Sequence, residues 1–428
     1  MKNDRIILGR DAIYSSDCEK TGINNNVIVC GSSGCGKTMS ISEPRLIETH
    51  NTSLIVTVTK RRIVEKYKAT FEERGYKVLD LNFVTPSDSN VSYDPLRYAG
   101  CFSDLTYLAE AIVMSDPRKE RSNADPYWDK AATSLLTSLI ILAMKTKKKA
   151  SFNDVLELYE SLDFNTDGEV ITTALDKKFD ALAEKEPRNM GVSCWKSFRK
   201  LPSKTASCVF GSLNAMVDRM FTPELRAMMS IDKPLDFKSI GTEKTVLFIT
   251  TSAVNPALNS FINIFYSQAI KNLFEFAEKR PDGKLPVPVH MICDDFATGG
   301  KILNFPEYIS IFREKQISVT LLIQSESQLE SMYGSDDATT IINNCDTYLY
   351  MGGMDLKTGR SISERANLPL EDVLYMPIGQ EFIFRRGEYP LKTQRYNILD
   401  NEQYRKITKE YEKKLKSMIE LKREKLVS

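Results

Sequence analysis

Histidine and tryptophan are scarce in this 428-residue chain, with two of each, and neither His50 nor His290 has a neighbouring thiol. The eight cysteines (18, 30, 35, 101, 194, 208, 293 and 345) are scattered and include no C-x-x-C pair. That distribution argues against zinc and against a disulfide framework, and it fits a reducing compartment. Charge of one sign is lacking too. With 58 Lys plus Arg against 57 Asp plus Glu, any attraction to nucleic acid or membrane has to come from local patches. Long apolar runs are absent: the best, Leu135 to Met144, contains Thr137 and Ser138 and is about half the ~20 residues that a membrane-spanning helix needs. It reads as a buried core helix. Met1 to Arg10 has no apolar stretch of signal-peptide length, so nothing there directs export. Internal repeats and low-complexity linkers are also missing.

What is present is a phosphate loop. Gly31-Ser32-Ser33-Gly34-Cys35-Gly36-Lys37-Thr38 follows the apolar run Val27-Ile28-Val29-Cys30 and leads into a helix expected over Met39 to Ile47. The pattern G-x-x-x-x-G-K-[ST] lets successive backbone N–H groups face phosphate oxygens, and the helix N-terminus adds its partial positive charge. Lys37 then addresses the β- and γ-phosphates, and the Thr38 hydroxyl is placed to ligate Mg²⁺. The alternative is a turn that merely joins a strand to a helix. The strand-then-helix setting favours nucleotide binding.

Along the chain, Ser53 to Val58 and Tyr76 to Leu81 add strands around a charged helix, Lys60 to Arg74, which Gly75 stops. Short apolar strands separated by helix-length segments imply parallel βαβ units covered on both faces. From Arg97 to about Leu235 only helical patterns occur: Leu105 to Met114, Tyr127 to Lys145, Phe152 to Ser161, Val170 to Glu184, and Cys194 to Met220 interrupted at Pro202. Asp125-Pro126 starts the long helix, and Trp128 is expected as a packing anchor rather than a base-stacking platform. Strands resume at Thr245 to Ile249. They continue at Val287 to Cys293, Ile317 to Ile323, Thr347 to Met351 and a hairpin of Glu381 to Phe384 with Tyr389 to Arg395; helices are expected at Pro256 to Lys279 and Phe305 to Lys315. The expected division is 1–96 with 236–400 as one α/β nucleotide-binding unit, 97–235 as an all-α unit, and 401–428 as a helical tail. In the tail, Ile407, Tyr411, Leu415, Ile419 and Leu426 form a thin apolar stripe. That stripe either packs on its own domain or docks a partner.

Chemistry is expected where open α/β sheets bind ligands, at the carboxyl ends of strands. Asp294 and Asp295 end one strand: the first can hold Mg²⁺ through water and the second can orient or deprotonate the attacking water. Acidic residues there could instead cap a helix. Gln324 ends the next strand and would lie beside the acids if the two strands are neighbours, with its amide available to the γ-phosphate or lytic water. Arg313 is either a surface charge or a finger reaching a neighbouring subunit's nucleotide.

With these motifs in order, the chain resembles the TraG/TraD family of type IV coupling proteins, the hexameric ATPases of bacterial conjugation and type IV secretion. The likeness runs through Ile6-Ile7-Leu8-Gly9, Val91-Ser92-Tyr93-Asp94-Pro95-Leu96 at the family's S-x-N-P-L, and Asp125-Pro126-Tyr127-Trp128. It continues through Asp294-Asp295-Phe296-Ala297 at D-E-F-A, Gln324-Ser325-Glu326-Ser327-Gln328-Leu329 at Q-S-x-S-Q-L, Tyr333-Gly334 and Ser361-Ile362-Ser363. The resemblance implies a RecA-like P-loop NTPase domain with an inserted all-α domain, using ATP and Mg²⁺ in a homo-hexameric ring. It implies pumping of single-stranded DNA with its attached relaxase toward a type IV secretion channel, from a cytoplasmic position at the inner face of the plasma membrane. Three features depart from the family. Members usually begin with membrane-spanning helices; the family's D-P-K-G-E is here Val58-Thr59-Lys60-Arg61-Arg62; and the second acid is Asp295 rather than Glu. The last two leave the efficiency of hydrolysis open, so a docking receptor for relaxase or effector proteins with little ATP turnover stands as the alternative. A DNA-pumping ATPase outside conjugation is the third reading.

Overall fold

The structure, a computed structural model, describes residues 3–114, 126–162, 174–252, 256–296, 298 and 301–427. Its strands are β1 (Arg5–Gly9), β2 (Ala12–Ser15), β3 (Val27–Cys30), β4 (Ser53–Val58), β5 (Lys77–Asn82), β6 (Thr245–Thr250), β7 (Val289–Cys293), β8 (Ile317–Ile323), β9 (Thr347–Tyr350), β10 (Gln380–Arg385) and β11 (Leu391–Gln394). Nine of them form one sheet in the order β11-β10-β9-β3-β8-β7-β4-β6-β5. From β9 across to β5 every pairing is parallel, and β10 runs antiparallel to both its neighbours.

Burial on both faces explains why β3, β4, β6 and β7 are almost wholly apolar. One face of β3 and β4 sends Ile28, Cys30 and Ile55 into a core shared with the helix Pro256–Glu278. On the other face, Leu54 and Val56 meet Ile63, Tyr67 and Phe71 of the helix Arg62–Glu73, while Val27 and Val29 meet Leu8, Ala12 and Ile41. Between β5 and β6 the described residues hold helices and no strand. Their core, from Leu135 and Leu139 to Trp195 and Phe221, is continuous with the first sheet face. The base of this segment is closed by Ser92 bridging Pro234, and by buried Asp94, whose carboxylate accepts from the backbone N–H groups of Leu96 and Phe152.

Several expectations need correction. No strand is expected before Val27, yet β1 and β2 form a separate antiparallel hairpin that covers the sheet. The segment after the phosphate loop opens with a π-helical turn, Thr38–Ser42, before the α-helix Glu43–Glu48. Phe305–Ile311 ends earlier than expected, because the chain turns through Gln316 at φ 63° to enter β8. What read as one interrupted helix is two, Met190–Arg199 and Ser203–Met220. Trp128 is 37% exposed and meets Tyr127 edge to face; the buried run of its helix begins one turn later, at Ala132. Asp125, Val170 and Ala297 lie outside the described residues.

The tail helix Glu402–Val427 packs on Arg62–Glu73. Tyr404 and Ile407 are buried there, Tyr411 Oη donates to Glu65, and Leu415 is exposed; the side chains of Ile419 and Leu426 lie outside the described residues.

On β10, Glu381 is fully buried under the β1–β2 hairpin, where a Cβ added to Gly9 would lie 2.9 Å from Oε1, and neither carboxylate oxygen has a hydrogen-bond partner. Burial pushes its pKa up to about 8, against a smaller opposing pull from Arg395. The folded chain therefore holds a proton that the unfolded chain releases near pH 4.5. This contribution to stability is complete below that pH and is lost as pH rises toward 8. At ~1.4 kcal/mol per pH unit, about 3 kcal/mol goes between pH 4.5 and 7. Glu381→Gln removes the titration, so its stability advantage over the parent in urea denaturation should grow from pH 5 to 8. An offset that does not change with pH would refute the assignment.

Candidate nucleotide-binding site

β3 ends inside the sheet, and the phosphate loop is tied to both flanking strands: Gly31 N–H donates to Ile323 O (3.1 Å) and Ser32 N–H to Gly352 O (3.0 Å). Gly34 and Gly36 have φ of 77° and 91°, a region that L side chains resist and that curls the loop's N–H groups inward. Ser40 N–H donates to Gly36 O (2.9 Å), which sets the helical start directly behind the loop. Lys37 is 9% exposed, and its ammonium donates to Gly31 O and to Ser32 O (3.1 Å) across the loop mouth. Cys35 supplies backbone to the curl, its N–H donating to Ser32 O (3.3 Å).

β7 lies one strand beyond β8, with Cys293 opposite Leu321, so the condition for Gln324 to neighbour the acids is met. Phe296 N–H donates to Leu322 O (3.0 Å), so Asp294 and Asp295 form a turn that steps out of the ladder at the carboxyl edge. Asp295 sits at φ 50°, a conformation Asp tolerates better than most residues because its short side chain bonds locally. Its N–H donates to Asp294 Oδ1 (3.1 Å), and its carbonyl accepts from Thr298 Oγ1 (2.7 Å). Desolvation, reinforced by the charge of Asp295, pushes the Asp294 pKa up to about 6, while Lys37 and Lys60 oppose the rise. A carboxylate under that penalty, facing the loop lysine, fits a hard cation, and Thr38 and Asp294 are the residues that would hold Mg²⁺. Lys60, retained from the family's acidic-basic signature, is near enough for its charge to act on Asp294. Arg61 does not: it forms a bidentate pair with Asp80.

Gln324 is exposed at the end of β8, with its N–H donating to Gln328 Oε1 (3.3 Å). Arg313 is not brought to this site. It precedes β8, and at ~3.3 Å per residue that seven-residue strand puts it more than ~20 Å away, at the opposite edge. There it donates to Gly22 O (3.0 Å) and Cys18 O (3.2 Å), closing the end of the short helix Cys18–Thr21. Sequence reasoning missed one group: the Arg395 guanidinium stands against Gly36, and only the register of β10 with β11 reveals it.

A largely parallel sheet with a phosphate loop at an interior strand and paired acids at a nearby strand end defines a RecA-like P-loop NTPase. The family model described as "Type IV secretory system Conjugative DNA transfer" matches residues 2–366, and the chain belongs to that family. Among solved structures, it is similar to the bacterial conjugative coupling protein TrwBdeltaN70 in complex with sulphate, with a TM-score of 0.67, 17% identity, and coverage of 92% of this chain and 89% of that one. TrwB in complex with ADP and Mg²⁺ gives a TM-score of 0.65 at 16% identity, covering 92% and 89%. VirB4 of Thermoanaerobacter pseudethanolicus gives 0.51 at 12%, covering 93% and 97%. No curated protein sequence matches the chain. Among the described residues no helix is long and apolar enough to cross a membrane.

Proposed function

We propose that this chain is an ATP-hydrolysing coupling protein that recruits single-stranded DNA with its attached relaxase and drives it toward a type IV secretion channel. The observation that carries this is a phosphate loop at the end of β3 and an acid pair at the end of β7, with Gln324 ending β8 between them, in a member of the conjugative DNA-transfer family. In this reading the loop N–H groups and Lys37 bind the triphosphate of ATP. Thr38 and Asp294 would hold Mg²⁺, which would supply charge neutralisation to the triphosphate. Asp295 takes a proton from the attacking water, and Gln324 orients that water. Because Arg313 lies at the amino edge, it can serve a nucleotide only from a neighbouring subunit, which fits a homo-hexameric ring.

One feature favours the docking-receptor reading. Asp295 is shorter than the family's Glu, a departure that lowers the expected turnover.

ATP hydrolysis measured with and without single-stranded DNA separates the two readings. A motor should be stimulated by DNA of any sequence, because no base-reading motif appears in the sequence. Its DNA affinity should fall by ~10³-fold or more between ~50 and ~200 mM salt if several phosphates are contacted. Turnover indifferent to DNA, or DNA binding that is sequence-selective and insensitive to salt, would defeat the motor reading.

A further inference from the structure

The hairpin β10–β11 closes the sheet on the phosphate-loop side and ends in Arg395. Its backbone is fixed there: Arg395 N–H donates to Gly379 O (2.8 Å), one step beyond the pairing of Gln380 with Gln394. The side chain crosses toward the loop. A Cβ added to Gly36 would lie 3.0 Å from Arg395 Nη1, and one added to Gly379 would lie 3.9 Å from Nη2. The guanidinium is therefore in van der Waals contact with the residue that precedes Lys37. Gly36 is glycine for two reasons: its φ of 91° and the arginine lying against it.

Arg395 makes no ion pair and donates no side-chain hydrogen bond to any described residue. Glu381, on the same face of the hairpin, is an acid on which the Arg395 charge acts. Neither Glu381 oxygen accepts a hydrogen bond, and burial keeps that acid protonated at neutral pH, so it does not neutralise the arginine. A half-buried, permanently charged fork of donors is thus held without a partner among the described residues, beside the loop read as binding phosphate. A buried apolar environment would not hold an arginine in this way, and an ordinary surface arginine would point into water.

We propose that Arg395 is a phosphate-binding residue of the nucleotide site, supplied by the chain's own C-terminal hairpin and contacting the polyphosphate across Gly36. The proposal rests on the reading of 31–38 as a nucleotide loop. It assigns Arg395 a role within its own subunit, at the edge of the sheet opposite Arg313. It also couples the hairpin to nucleotide occupancy, since the ligand completes the arginine's hydrogen bonds.

The test is calorimetric binding of MgADP and of inorganic tripolyphosphate to the parent, Arg395→Ala, Arg395→Lys, Arg395→Gln and Lys37→Ala, with circular dichroism to confirm folding. A charge-assisted contact predicts that Arg395→Ala and Arg395→Gln weaken both ligands by about tenfold or more, with Arg395→Lys recovering part of the loss. The neutral Gln variant keeps the hairpin packed if truncation to Ala unsettles it. Parent-like tripolyphosphate affinity in both neutral variants would overturn the proposal. So would a loss confined to MgADP, which would place Arg395 on the ribose or base. If those variants bind normally while Lys37→Ala does not, only this inference fails. If the parent binds neither ligand, the nucleotide reading falls and takes this one with it.

Discussion

Lys37→Ala is expected to weaken MgATP binding by at least ~10²-fold and to abolish turnover, because it removes the ammonium at the loop mouth and with it two or three charge-assisted hydrogen bonds to phosphate. The loop itself should survive. Its curvature comes from Gly34 and Gly36 at positive φ, and its ends are pinned to Ile323 O and Gly352 O. What the fold loses is the pair of bonds from Lys37 to Gly31 O and Ser32 O, which lie at the loop mouth where water can replace them. Calorimetry with MgATP, run beside thermal denaturation, checks both halves. An affinity equal to the parent's would remove the phosphate loop from nucleotide binding. A variant that has lost its cooperative transition would mean that Lys37 holds the loop together.

The parts of this site that could be read from the sequence are local. Gly31 to Thr38 declares its geometry by spacing alone, and Asp294-Asp295 is marked by the buried strand before it. Gln324 required a pairing of strands, which the sequence could state only as a condition. Strand direction already bears on Arg313: a residue that precedes a parallel strand lies at the amino edge, away from the ligands. The β1–β2 hairpin was obscured because its alternation is short and its turn, at Arg10 and Asp11, lacks glycine. Arg395 had no local signal at all. Its approach to Gly36 depends on an edge hairpin folding antiparallel against β9, a contact spanning more of the chain than any motif covers.

The largest effect on chemistry, as distinct from binding, is expected at Asp295. After glycine, Asp and Asn are the residues best suited to its φ of 50°, so Asp295→Asn keeps the turn and its bonds to Asp294 and Thr298 while removing the carboxylate. If Asp295 receives the proton of the attacking water, this variant should hydrolyse ATP ~10²-fold or more slowly at little changed ATP affinity, since the lost interaction belongs to the transition state. Asp295→Glu tests reach. Glutamate extends the carboxylate by one C–C bond, ~1.5 Å, and misplacement of ~1 Å at a reacting centre can cost ~10²-fold in rate. A turn that had moved inward to compensate would make the longer side chain crowd the site and slow it. Cys293 stays in register with Leu321, and Phe296 re-enters the ladder at Leu322, so both ends of the turn are held by the buried sheet. That confinement favours a faster Asp295→Glu enzyme. Glutamate at positive φ lowers stability, which denaturation reads separately from rate. Single-turnover hydrolysis by the parent and both variants decides. Equal rates in all three would take Asp295 out of the chemistry and leave the docking receptor as the better account of the chain.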